Sequence, residues 1–306
     1  MVQIISIWGK GGVGKSTCAS SLTYCLARDG YKTLLLTMDF APTISSIFNL
    51  NCQGLFQVPN LPSLYIYEVT PEDVITLWKK RFGDEVYEVI SAFLPVGREI
   101  IDYIAGAPGI SDEFMLYVLY EFYKEEDFEY IVWDLPAAGD ALRLLWLEKQ
   151  FYSHLGDAAK MYMRLKGFIR SLRKRKTKSP LKLIMEWREL AENIFEMLNS
   201  SDHRALVITT PDSLSIEITK RIIRDLDLFK IHIGGLILNM VLQASLKSKG
   251  YLVNRLKSQR SNIAKLENLI KSRSIPIVEI PLMDFDKITP KFLEIIGKRI
   301  LSSIKI

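Results

Sequence analysis

Short apolar runs recur along the chain, each too short for a buried helix and rich in β-branched or leucine side chains. They are Val2–Trp8, Thr33–Met38, Leu64–Val69, Tyr130–Asp134, Ala205–Thr209, Gly235–Asn239 and Pro276–Ile280. The runs are continuous rather than alternating, which predicts strands covered on both faces and hence a parallel sheet between helices. Segments between them, such as Ser16–Arg28 and Ser215–Leu226, place apolar residues at helical spacing. Strands alternating with helices predict a doubly wound, mostly parallel α/β fold.

Two stretches interrupt that alternation. Residues from about 71 to 126, and again from about 145 to 200, carry helical spacing and no strand signal. In the second, Leu155, Ala158, Tyr162, Leu165, Ile169 and Leu172 recur every three or four residues, as do Ile184, Trp187, Ala191, Ile194 and Leu198. We expect one domain over residues 1–306 with a helical subdomain inserted at these two places. The terminal stretch Phe292 to Ile306 is amphipathic through Phe292, Ile296, Ile300 and Ile304. Such a helix either packs on the sheet or lies on a membrane surface.

Composition narrows the class. With 306 residues, 48% hydrophobic and 25% charged, the chain can bury a large core unaided by disulfides. Its three cysteines, Cys18, Cys25 and Cys52, form no Cys-x-x-Cys pair, which argues against a disulfide framework or a structural zinc site. Cys18 and Cys25 lie seven apart on one predicted helix, a spacing that suits burial. Met1 runs directly into the first strand without a basic-then-apolar leader, and no apolar stretch of roughly eighteen residues could span a bilayer. The expectation is a cytoplasmic protein, with peripheral membrane attachment as the alternative. The net charge of +5 concentrates in Arg170 to Lys182, seven basic residues without an acid. That run reads either as a solvated connection or as a contact for an anionic surface. No stacking aromatics are interleaved, so no nucleic-acid partner is expected.

The chemistry lies in Gly9-Lys10-Gly11-Gly12-Val13-Gly14-Lys15-Ser16. This segment fits G-x-x-x-x-G-K-[ST], after an apolar strand and at the start of a helix, and so reads as a phosphate-binding loop. Gly11, Gly12, Val13 and Gly14 would turn backbone N–H groups toward the phosphates, helped by the helix dipole. Lys15 is expected at the β- and γ-phosphates, Ser16 at Mg²⁺ and Thr17 at the α-phosphate. Asp134, ending the apolar strand Tyr130–Asp134, suits the carboxylate that orients Mg²⁺, through water. Asp39 ends the strand Thr33–Met38, and in this topology it can orient the attacking water. The cofactor set expected is ATP/ADP and Mg²⁺, and the activity ATP hydrolysis.

Lys10 makes the loop K-G-G-V-G-K-S, which resembles the deviant Walker A motif of the partitioning, division-site, arsenite-pump and tail-anchored-protein-targeting ATPases. The resemblance implies a nucleotide-sandwich homodimer in which Lys10 reaches the partner's nucleotide, and places Lys10 with Lys15 and Asp39 among the catalytic residues. Within that family the chain is most similar to the arsenite-pump and Get3 branch. Thr37-Met38-Asp39-Phe40-Ala41-Pro42-Thr43 resembles its switch I. The run from Asp134 to Leu145 resembles its switch II, and Pro108-Gly109-Ile110-Ser111-Asp112-Glu113 a segment of its helical subdomain. The same resemblance implies that Asn239 reads adenine while Pro281 and Leu282 pack over it. Phe40, Pro42 and Asp140 depart from the branch's switch residues, and its zinc-binding Cys-x-x-Cys is replaced by a basic helical stretch from Ser245 to Ile270.

As partners, the resemblance implies a tail-anchored or other transmembrane-helix client and a membrane receptor. Five of the nine methionines, Met115, Met161, Met163, Met185 and Met197, fall between residues 111 and 200. They suit either an adaptable apolar groove or the subdomain's own core. The alternatives are a spatial or regulatory ATPase that acts with a membrane or protein partner, and the ATPase subunit of a metalloid pump.

Overall fold

The computed structural model describes residues 2–37, 43–50, 54–169, 179–243, 251–283 and 287–304. Eight strands form one sheet in the order β3-β4-β2-β5-β1-β6-β7-β8. They are β1 (Gln3–Gly9), β2 (Thr33–Thr37), β3 (Gly54–Gln57), β4 (Leu64–Glu68), β5 (Tyr130–Asp134), β6 (His203–Thr209), β7 (Ile233–Val241) and β8 (Ile277–Pro281). All neighbouring pairs are parallel except β3 with β4. The doubly wound reading therefore holds, with one addition. The edge strand β3 escaped the sequence pattern because it is four residues long and leaves Leu55 exposed. A short, half-exposed edge strand carries no continuous apolar run.

The chain divides into two compact units, Met1–Glu68, Phe122–Leu142 and Asn199–Ile306 in the first, Val69–Glu121 and Arg143–Leu198 in the second. In the first unit, successive β1 side chains go to opposite faces of the sheet. Ile5 and Ile7 join Val132, Leu35, Leu206 and Ile237 under α1 (Lys15–Arg28) and α10 (Pro290–Ser303). Gly297 of α10 permits that layer: a Cβ there would stand 2.2 Å from Ser21 O and 2.5 Å from Cys25 Sγ. On the other face Trp8 and Trp133 meet edge to face, centroids 6.4 Å apart. The Ser6 hydroxyl lies 2.7 Å from both Trp8 Nε1 and His203 Nε2, so these buried polar groups are satisfied locally. Helix α8 (Ser213–Leu228) also packs against β6 and β1.

The terminal amphipathic stretch resolves in favour of the sheet. Phe292, Ile296, Ile300 and Ile304 are all buried in the core cluster, and Thr289 caps α10 by accepting from Phe292 N at 3.3 Å. Its apolar stripe is consumed by folding and is unavailable to a membrane.

The second unit is helical, built from α3 (Pro71–Ser91), α4 (Ile100–Ala105), most of α5 (Ile110–Lys124) and of α6 (Ala138–Ile169), and α7 (Pro180–Asn199). Thr70-Pro71-Glu72-Asp73 starts α3 with a capping box, Thr70 N donating to Asp73 Oδ2 at 3.0 Å and Asp73 N to Thr70 Oγ1 at 3.2 Å. The five-residue series on α7 faces inward: Ile184, Ala191, Ile194 and Leu198 are buried and Trp187 is partly so. Among the described residues, no helix is long and apolar enough to cross a membrane.

Candidate functional site

Parallel strands bring their carboxyl ends to one edge of the sheet, where the chain must turn and where ligands bind in such folds. The register aligns Ile7, Thr37 and Asp134 across β1, β2 and β5, and Gly9 with Ile208 across β1 and β6. Gly9 is required there by packing, since a Cβ would stand 2.5 Å from Ile208 O.

From Gly9 the chain passes through Lys10 to Gly14 and enters α1. Gly14 has φ 94°, and an added Cβ would lie 2.5 Å from Asn239 Nδ2. Both the left-handed backbone and the close approach demand glycine. Among the described residues no side chain caps the start of α1, and its first turn holds no acid. The first-turn N–H groups and the helix dipole there suit an anion. The Lys15 side chain is buried under the loop, its Nζ donating to Lys10 O at 3.4 Å. Ser16 and Thr17 are partly buried at the loop's exit, while Gly11 and Gly12 are exposed. A buried ammonium and a hydroxyl beside a helix N-terminus suit phosphate oxygens and a hard cation.

Asp134 is fully buried at the end of β5. Its charge acts on the Cys18 thiol, which burial first and Asp134 second push up to about 12. Burial likewise raises Cys25, helped by Asp29 and Glu294, to about 11. Both remain thiols at neutral pH, and thiols are poor soft-metal ligands. Among the described residues no group of three metal-ligating side chains occurs.

Asn239 is buried near the end of β7 and donates from Nδ2 to Val13 O at 2.8 Å, which ties that part of the strand to the glycine-rich loop. Met240 follows with φ 58°, a left-handed conformation that a side chain adopts only under constraint. Pro281 pairs with Val241, and Leu282 N donates to Val241 O at 2.9 Å. Asn239, Pro281 and Leu282, distant in sequence, thus gather at one strand end. Leu282 is exposed. Lys10 and Lys15 lie on the same loop, but Asp39 falls outside the described residues.

Some residues of this edge had no prominence in the sequence. Asp212 caps α8, its Oδ1 accepting from Ser215 N at 2.9 Å and its Oδ2 from the Thr210 hydroxyl at 2.6 Å. Burial works against its ionisation, but the bonds from Ser215 and Thr210, with Lys10 nearby, hold its pKa below the usual value. The run Asp-Ser-Leu-Ser before an apolar period was a readable capping signal. Gln259 and Asn262, on α9 (Tyr251–Ile270), gave no signal, because buried amides look like any polar position on an amphipathic helix.

In the helical unit two recognised motifs meet. Arg143 Nη2, from the switch II run, donates to Asp112 Oδ2 at 3.1 Å. The unit holds a half-open cavity of about 140 Å³ lined by Trp78, Phe82, Phe114, Tyr117 and Trp187 among others. At its margin Arg81 Nε donates to the Tyr117 hydroxyl at 2.9 Å and Trp187 Nε1 to Glu85 Oε2 at 2.7 Å. The methionines divide: Met115 and Met197 are buried, Met161 and Met185 are 58% and 59% exposed, and the Met163 side chain lies outside the described residues.

Sequence comparisons agree with this geometry. The chain is 28% identical over 301 residues to the "putative arsenical pump-driving ATPase 2" of Aquifex aeolicus, covering 94% of this chain and 97% of that one. It is 24% identical over 300 residues to "ATPase GET3C" of Arabidopsis thaliana, covering 90% and 76% respectively. "ATPase get3" of Pyrenophora tritici-repentis is 23% identical over 290 residues, covering 91% and 85%. The profile of the anion-transporting ATPases matches residues 2–302. A glycine-rich loop with a buried lysine at the carboxyl edge of a parallel sheet, and a family match over nearly the whole chain, make this protein an ATPase of the anion-transporting ATPase family.

Proposed function

We propose that this ATPase works as a Mg²⁺-dependent homodimeric switch whose helical unit holds the transmembrane helix of a client. The observation that carries the client reading is the helical unit's apolar character. An aromatic-lined cavity and the exposed Met161, Met185 and Trp146 occur in the same unit. Isolated exposed apolar residues need no explanation, but several within one small unit suit a binding surface. The cavity is too small for a helix about 10 Å across, so its fit is to one bulky side chain of such a helix.

In this reading Lys15 and the backbone of Gly11 to Gly14 hold the phosphates and Thr17 the α-phosphate. Ser16 and, through water, Asp134 hold Mg²⁺, which neutralises charge on the phosphoryl oxygens when bound. Asp39 orients the attacking water. Asn239, Pro281 and Leu282 hold adenine, and Lys10 serves the partner subunit's nucleotide. The start of α6 follows Asp134 by four residues, and the helix runs on into the helical unit. Rearrangement of switch II would therefore bear directly on Arg143 and its bond to Asp112.

Co-expression with a tail-anchored membrane protein tests the proposal. The ATPase should copurify with a client carrying its apolar tail and not with the tail deleted. Failure to retain any apolar helix sinks the client reading. The name of the Aquifex relative supports a second reading, a metalloid-pump subunit, which predicts stimulation of ATP hydrolysis by arsenite. The burial of Cys18 and Cys25 within the core weighs against it.

A further inference from the structure

Helix α9 packs one face on the first unit and exposes the other. Two polar residues on its inner face, Gln259 and Asn262, are nonetheless buried. Three residues apart, they lie side by side on the helix surface. Each reaches backbone of a different loop beside the phosphate-binding loop. Gln259 is bidentate on Leu242: Leu242 N donates to Oε1 at 2.9 Å, and Nε2 donates to Leu242 O at 3.0 Å. Asn262 Nδ2 donates to Pro211 O at 3.2 Å.

The two loops have different relations to the site. Leu242 stands three residues beyond Asn239, with the left-handed Met240 between them. That strained backbone persists only if both sides are held. Asn239 is anchored on one side by its bond to Val13, and Gln259 supplies the anchor on the other. Pro211 belongs to the turn Thr209–Asp212, which follows the strand paired with β1 and carries the capping carboxylate near Lys10. A buried amide that satisfies both backbone polar groups of one residue is costly to replace, because an apolar side chain leaves those groups unsatisfied.

We infer that α9 splints the nucleotide site from behind, with Gln259 a positioning residue for base recognition and Asn262 one for the phosphate-side turn. The inference rests on the reading that Asn239 takes the base. Gln259→Met keeps the side chain's bulk and removes both bonds. It should weaken ATP binding about tenfold, the equivalent of about 1.4 kcal/mol, and weaken GTP binding less, so the ATP/GTP preference falls. Asn262→Ala should weaken both nucleotides alike and leave the preference unchanged. Leu266→Ala, which removes a fully buried apolar anchor of the same helix, should lower the unfolding temperature without altering the preference.

Equilibrium binding of ATP and GTP, with thermal unfolding of each variant without nucleotide, decides the matter. An unchanged preference in Gln259→Met, or an equal loss of preference in Leu266→Ala, overturns the inference. If Gln259→Met does not fold, Asn262→Ala still tests it: a variant that binds both nucleotides like the parent overturns the splint. Lys15→Ala separates the two levels. ATP binding that survives this substitution sinks the nucleotide-site reading itself, whereas its loss alongside an unaltered Gln259→Met sinks only the inference.

Discussion

At the scale of single residues, the phosphate loop is held by steric demand as much as by attraction. Gly14 meets two independent constraints, a φ of 94° and Asn239 Nδ2 at 2.5 Å from any Cβ. Gly14→Ala should therefore cost more than the roughly 1 kcal/mol of a simple left-handed penalty, and should displace Asn239. The expected outcome is a lowered unfolding temperature together with loss of ATP binding by calorimetry; retained affinity would show that the loop tolerates the shift. Asp39 makes a different prediction. If it orients water, Asp39→Asn should bind ATP normally and lower turnover at least a hundredfold, in the range of general-base loss. Normal turnover would remove Asp39 from the mechanism. The glycines and lysines of the loop were legible in the sequence because their chemistry is local. Asn239's bond to Val13 was not, since 226 residues separate the two.

At the scale of elements, caps and buried faces determine where helices begin and what they cover. Asp212 starts α8 one turn beyond the strand that pairs with β1. Asp212→Ala should destabilise the fold by about 1 kcal/mol, the usual worth of an N-cap. Because its folded-state pKa is depressed, the charge-dependent part of that contribution is present above the unfolded carboxylate pKa. It is lost as pH falls through the lower folded value. Urea unfolding of parent and variant should therefore differ more at pH 7 than in strong acid. A gap that stays the same size there would assign the effect to something other than the carboxylate's charge. The amphipathic period of α10 was plain in the sequence, but periodicity does not say what covers an apolar stripe. Packing on α1, made possible by Gly297, decided that question in favour of the core.

For the whole molecule, the proposed homodimer makes Lys10 the most exacting test. It belongs to the phosphate loop yet, if the resemblance holds for this chain, it acts on the partner's nucleotide. Sedimentation with ATP should show a dimer for the parent chain, and Lys10→Ala should keep nucleotide binding while losing hydrolysis and the ATP-dependent shift in mass. A parent chain that stays monomeric with ATP would overturn the sandwich arrangement.

What the sequence determined by itself is local and periodic. Apolar runs specified seven of the eight strands; β1, β2, β5, β6 and β7 are buried almost throughout, whereas β4 and β8 alternate between buried and more exposed positions. The glycine-lysine spacing marked a loop suited to phosphate, because glycines free the backbone to present N–H donors and a lysine adds a positive charge. Tertiary structure decided the rest. It divided the methionines between core and surface and spent the terminal stripe on the sheet. It also set Gln259 and Asn262 against the backbone of two distant loops. These outcomes depend on which surfaces meet after folding, and a side chain at one position carries no mark of the partner that packing will bring to it.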